Sequence, residues 1–211
     1  MNRETLLVSK LFPLLIIFFA FTQCTQSTSS SSSNKNLLTA AALYTYSSSS
    51  TSSNTCTGTG STLTVSSSLG VSGTEIGSSY ACTTNGGSGY SPDLSWSGCP
   101  ASTQGFAMIM YTVALDGTKY NWLLYNIPNT TYTLPKNSTT VGTAGLGSNG
   151  PTYGYQPPCS TQLGVSKEYT FTVYALSSAP SLSGVVTGAV LTSAISGITV
   201  ASGSIILKVT Q

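Results

Sequence analysis

The segment Asn121 to Pro128, NWLLYNIP, constrains the fold more than any other. After its first residue it is almost wholly apolar, it is too short for a typical helix, and proline stops it. That pattern is a buried strand running into a turn. Phe106 to Tyr111, FAMIMY, is a continuous apolar run, as expected for a strand covered on both faces. Thr62 to Val65 alternates in polarity, and Tyr169 to Tyr174 alternates with Tyr and Phe set against Thr and Val. Ile205 to Val209 is a further strand run. Turn clusters at Thr83–Gly89, Ser97–Pro100, Asp116–Gly117 and Gly142–Pro158 separate these segments. Short strands between Gly/Pro-rich turns predict a mainly β domain, an antiparallel β-sandwich with one or two short helices. One helix is expected over Gly188 to Ser196, where Ala189, Val190, Ala194 and Ile195 recur at helical spacing.

The N-terminal region reads differently. Arg3 and Lys10 flank a polar lead, and Leu11 to Phe21 is apolar apart from Pro13. That length suits a secretory signal and is short of the ~20 residues of a spanning helix. Cys24 follows directly, so residues 1–23 are expected to be a lipoprotein-type signal with Cys24 as the lipidated residue. The flanking Phe21 and Gln23 depart from the usual cleavage box, and ordinary signal cleavage nearby is the competing reading. Ser27–Ser33 and Ser47–Ser53 are hydroxyl-rich runs that cannot bury enough apolar surface to offset chain entropy. Residues 24–56 are therefore expected to be a tether, and residues 57–211 the folded domain. Leu37 to Tyr46, short and apolar, is either an extra strand or part of the tether.

Only 6% of the residues are charged. Without residues 1–23 the chain keeps five lysines, four acids and no arginine, a net charge near +1. No basic stripe exists to condense on nucleic acid, so nucleic acid is excluded as a partner. Low charge and abundant hydroxyls suit an exported, surface-exposed protein, and the lipoprotein-type signal points to a bacterial cell envelope. Cys56, Cys82, Cys99 and Cys159 are then expected to form two disulfides, with three pairings open. They lack C-x-x-C spacing, and no histidine is present to complete a zinc site, so neither metal nor cofactor is expected.

The absence of histidine also removes the commonest general base, along with any Ser-His-Asp or Cys-His site. Glu75, Asp93, Asp116 and Glu168 are scattered through different segments and make no visible carboxylate pair. Gly145 to Gly150 matches G-x-G-x-x-G, but Pro151, Gly154, Pro157 and Pro158 prevent the helix that such a phosphate loop needs. Twelve tyrosines remain, and Tyr80, Tyr90, Tyr153 and Tyr155 sit in turns. A tyrosine-rich loop surface can bind sugars or proteins, while the plainer reading is that tyrosines fill strands and edges.

Four blocks in order carry a resemblance. They are Ser91-Pro92-Asp93-Leu94-Ser95-Trp96 after Tyr80-Ala81-Cys82; Phe106–Met110 with Trp122–Pro128 and then Leu134-Pro135; Gly145-Leu146 with Tyr155-Gln156-Pro157-Pro158-Cys159; and Tyr169–Leu176. Together they resemble the phosphatidylethanolamine-binding protein family, the group that includes Raf kinase inhibitor-like proteins, in its bacterial form. Ala189 to Val209 is similar to that family's closing helix and strand. The resemblance implies a sandwich with a small anion pocket at one end. It also implies a Cys82–Cys159 disulfide, with Cys56–Cys99 as the remaining pair.

By the same resemblance the pocket falls on Tyr111, Asp116, Asn121, Tyr155, Pro157, Pro158 and Lys167. The family's Asp-Pro-Asp loop becomes Tyr111–Asp116, its histidine becomes Asn121, and its His-Arg pair becomes Lys167-Glu168. Asn121 is a neutral amide that cannot carry a proton charge. Lys167 still attracts anions, with Glu168 beside it working against that. The resemblance thus implies a non-enzymatic exported lipoprotein, a binding or interaction module with a degenerate anion pocket. Two other readings stay open: a binder of a phospholipid headgroup or other small molecule with a re-lined pocket, and a protease or signalling inhibitor by fold analogy. The expected partners are a membrane through the lipid anchor, a small anionic or phospholipid ligand, and a protein.

Overall fold

The structure, a computed structural model, describes residues 55–211. The signal segment, Cys24, both serine runs and Leu37–Tyr46 lie outside the described residues. Nine strands and one helix follow in the order β1 (Thr64–Ser66), β2 (Thr74–Glu75), β3 (Leu94–Ser97), β4 (Gly105–Ala114), β5 (Gly117–Pro128), β6 (Thr133–Leu134), β7 (Thr143–Ala144), β8 (Ser166–Leu176), α1 (Gly188–Ser196) and β9 (Thr199–Thr210). Single 3₁₀ turns lie at Ser78–Tyr80 and Thr83–Asn85. A six-stranded sheet runs β2-β9-β8-β4-β5-β7, and a three-stranded sheet runs β1-β3-β6. Pairing is antiparallel throughout except where β2 lies parallel to β9. Among the described residues no helix is long and apolar enough to cross a membrane.

The apolar run of β4 explains the layering. Phe106, Met108 and Met110 face the small sheet and pack with Trp96, Leu94, Leu134, Trp122 and Phe171. Ala107 and Ile109 face the other way, onto a second cluster with Leu123, Leu191 and Ile195, where α1 covers the large sheet. A strand covered on both faces has no room for alternation, which is why its sequence shows none. Trp96 and Phe106 meet edge to face at 5.5 Å, joining the two sheets. Along β8 the period of two puts Val173 with Tyr169 and Phe171 in the inter-sheet core, while Tyr174 packs with the helix-side cluster. This corrects the expected grouping of Tyr against Val, since successive side chains must alternate faces.

The helix starts at Thr187, whose hydroxyl accepts from the Val190 N–H, and it ends against Gly197. Disulfides join Cys56 to Cys99 and Cys82 to Cys159. The long segment 145–156 is a loop, as its prolines require. It lies along the outer edge of β5: Gly145 N–H donates to Leu123 O, Ser148 N–H to Tyr120 O, and Gln156 N–H to Asn121 O. Ser148 Oγ in turn accepts from the Tyr120 N–H. The glycines of the G-x-G-x-x-G match have packing reasons. A Cβ on Gly145 would fall 2.9 Å from Leu123 Cβ, and one on Gly147 would fall 2.4 Å from Gln156 Oε1.

Candidate functional site

Asn121 sits where the β4–β5 ladder breaks step. Met110 pairs with Trp122 and Tyr111 with Tyr120, so Asn121 is an extra residue on β5, a β-bulge. The bulge turns its side chain inward, and Asn121 is only 2% exposed. Its Nδ2 donates to Gln156 O at 3.2 Å, while its own backbone O accepts from the Gln156 N–H at 2.8 Å. Its Oδ1 is buried and has no hydrogen-bond partner among the described residues. A buried acceptor left unpaired costs about 1–3 kcal/mol, so such an atom calls for a ligand donor or a water.

A cavity of about 350 Å³ opens beside it, lined by Asn121, Lys119, Lys167, Asn149, Cys159 and Tyr169 among others. No acid lines it. Lys119 Nζ is held 2.7 Å from Asp116 Oδ2, and that hydrogen bond lowers the Asp116 carboxyl below its ordinary value. Among the described residues Lys167 makes no ion pair. Glu168, its neighbour in sequence, points to the other side of β8 and reaches Lys208 at 3.2 Å across the β8–β9 ladder. The carboxylate expected to oppose Lys167 is thus engaged elsewhere. A shallower depression of about 670 Å³ adjoins the cavity through Lys167 and Thr112, and both Asp116 and Glu168 line it.

The walls are fastened by residues the sequence analysis did not select. Gln156, 6% exposed, bridges the loop: Oε1 accepts from the Asn149 N–H, and Nε2 donates to Asn149 O and Thr152 O. Gln211 accepts at Oε1 from the Ser160 N–H and Asn85 Nδ2, and its Nε2 donates to the Tyr169 hydroxyl at 2.9 Å. Burial raises the Tyr169 phenol, with Gln211 opposing, so Tyr169 is a neutral hydroxyl at the cavity wall. Neither glutamine carries a local signal, because each acts only after distant segments have come together.

Of the residues expected at the pocket, the structure brings Asn121 and Lys167 to one cavity and puts Asp116 at its margin. Pro157 and Pro158 follow Gln156 and lead the chain to the disulfide, with Pro158 O accepting from the Cys82 N–H at 2.8 Å. Tyr155 lies on the far side of that segment, edge to face with Trp122 at 5.2 Å. Burial pushes its phenol well above the ordinary range, Tyr169 and Tyr80 adding to the effect. Tyr111 packs with the helix-side cluster on the opposite face of the sheet. The stretch Tyr111–Asp116, expected as a loop, is regular β4 strand to Ala114 followed by a two-residue hairpin turn at Leu115-Asp116.

Among the described residues no three His, Cys, Asp or Glu side chains gather to hold a metal. Glu75 and Asp93 are both occupied with hydrogen bonds to neighbouring loops and strands.

A search of curated proteins returns no match. Among solved structures, the chain is similar to CT736 of Chlamydia trachomatis D/UW-3/CX, described as a phosphatidylethanolamine-binding protein homolog. Identity is 26%, coverage is 72% of this chain and 99% of the other, and the TM-score is 0.64. It shares its fold with Escherichia coli YbcL, described as a member of the mammalian phosphatidylethanolamine-binding protein family, at 23% identity and TM-score 0.63, covering 71% of this chain and 98% of that one. The phosphatidylethanolamine-binding protein family profile matches residues 66–210. Over residues 66–210, from the end of β1 to the end of β9, the chain belongs to the phosphatidylethanolamine-binding protein family.

Proposed function

We propose that this domain is a non-enzymatic binding module whose pocket is re-lined for a small ligand carrying an anionic group and a hydrogen-bond donor. One observation carries this reading: Asn121, whose buried Oδ1 has no partner among the described residues, lines the same cavity as Lys167, and no acid lines that cavity. Asn121 Oδ1 takes the donor and Lys167 the anion, held in a partly enclosed site where charge is less screened than in water. A non-enzymatic role is supported by the lack of any histidine and by the dispersal of the carboxylates into separate contacts.

Calorimetry of the full chain with inorganic phosphate and with phosphoethanolamine tests this. Phosphoethanolamine, which has both groups, is expected to bind more tightly than phosphate, and Lys167→Ala to weaken it about tenfold. No saturable heat with either compound, or binding that Lys167→Ala leaves unchanged, would overturn the reading.

The module is further proposed to be exported and lipid-anchored through Cys24, supported by the apolar leader and the serine-rich tether. Cys24→Ser is then expected to abolish incorporation of radiolabelled palmitate and release the protein from membranes. Retention of label in that variant would refute the anchor.

A further inference from the structure

On the other side of the Tyr155–Pro158 segment lies a second cavity of about 400 Å³. Buried Trp122, Leu124 and Ser91 and half-buried Tyr155 form its floor, and exposed Asn137, Thr139 and Tyr153 its rim. No charged residue lines it. Lys136, beside Asn137 in sequence, does not line it and is seated over the Tyr90 ring at 4.1 Å. Its size falls in the range of small-molecule sites, roughly 300–1,000 Å³.

Two features give the cavity a chemistry. Ser91 is only 2% exposed, and its hydroxyl has no hydrogen-bond partner among the described residues. Burying a hydroxyl without a partner is costly, and Ser91 belongs to the lining of this cavity. Tyr153 is 53% exposed at the rim, an unusual exposure for an aromatic ring beside a cavity. Asn137 adopts φ +60° in a tight turn closed by Ser138 N–H donating to Pro135 O, and Asn137–Thr139 line the cavity. Apolar floor, aromatic rim and uncharged hydrogen-bonding groups suit a ligand with one apolar face and several hydroxyls.

We propose that the Ser91–Tyr153–Tyr155 cavity is a second binding site, for a neutral sugar ring, separate from the Asn121 cavity. The ring's C–H face lies against the tyrosines, and its hydroxyls meet Ser91 and Asn137–Thr139. This site accounts for two of the turn tyrosines that the anion cavity leaves without a role.

The test is nuclear magnetic resonance titration of the isotopically labelled full chain with methyl glucoside, galactose and N-acetylglucosamine, each to about 20 mM, enough to detect millimolar binding. At least one sugar is expected to give saturable shifts at Ser91, Asn137–Thr139 and Tyr153–Tyr155. Tyr153→Ala and Ser91→Ala are each expected to weaken binding about tenfold, and Lys167→Ala to leave it within about twofold. Ser91→Ala is also expected to keep or raise the melting temperature, because its hydroxyl has no partner to lose. The absence of saturable shifts with all three sugars would overturn the proposal. So would shifts centred on Asn121 and Lys167, or sugar affinity unaltered by both Ser91→Ala and Tyr153→Ala.

Discussion

Asn121 divides its amide between two tasks. Its nitrogen fixes Gln156 O, and its buried oxygen has no donor among the described residues. Asp93, in the motif that opens β3, does purely local work. It accepts from the Ser68 N–H and hydroxyl and from the Ser67 hydroxyl, tying the loop after β1 to β3. Partial burial tends to raise its carboxyl, but those hydrogen bonds outweigh it and the net shift is downward from 3.8. A folded-state value below the unfolded one means the contribution is full above the ordinary carboxylate value and is lost as pH falls through the folded value. Melting temperature should therefore drop as pH falls below about 4, and Asp93→Asn should flatten that drop while lowering the plateau above it. An unchanged acid slope in the variant would show that other groups set it. Asn121 and Lys167 were legible as site residues only through family blocks around them. Gln156 was not, because a buried glutamine spanning Asn149 and Thr152 has no signature until the loop has folded over it.

The strands were legible because burial writes directly into periodicity. β4 lost its alternation by being covered twice, and β5 was bounded by its proline. The bulge at Asn121 was not legible, since one extra residue in a ladder leaves the apolar pattern of its own strand intact and shows only against the partner's register. The resemblance implied a loop at Tyr111–Asp116, yet Thr112–Ala114 continue β4: Thr112 and Val113 stand on an outer hairpin whose faces are not both buried, so no apolar run marks them. The two disulfides separate stability from site architecture. They close stretches with sequence separations of 43 and 77, and in the chain-entropy account each stabilises by about 4 kcal/mol. Replacing either pair by serines should lower unfolding free energy by a similar amount. Only loss of Cys82–Cys159 should also weaken binding beside Asn121, because Cys159 lines that cavity. Equal loss of affinity on removing Cys56–Cys99, measured by the same calorimetry, would contradict this division.

At the scale of the molecule, the six-stranded sheet ends in strands of two residues, β2 and β7. The twelve-residue β5 would be a long open edge were it not for the 145–156 loop, whose N–H groups meet Tyr120, Asn121 and Leu123 carbonyls. The same loop contributes Asn149 to one cavity and Tyr153 and Tyr155 to the other. Cavity wall and edge cover are one piece of chain, held also by the Gln156 side chain. Unbound strand edges recruit strands from other molecules, so the loop guards against self-association as well as shaping the sites. Gln156→Ala, which strips partners from Asn149 and Thr152, is expected to cost about 2–3 kcal/mol. It should also raise light scattering at protein concentrations where the parent chain stays monodisperse, and scattering that tracked the parent's would show that the edge is guarded by something else. Any adjustment of ligand preference made through this loop therefore has to keep its grip on β5, which sets a colloidal limit on how freely the two cavities can change.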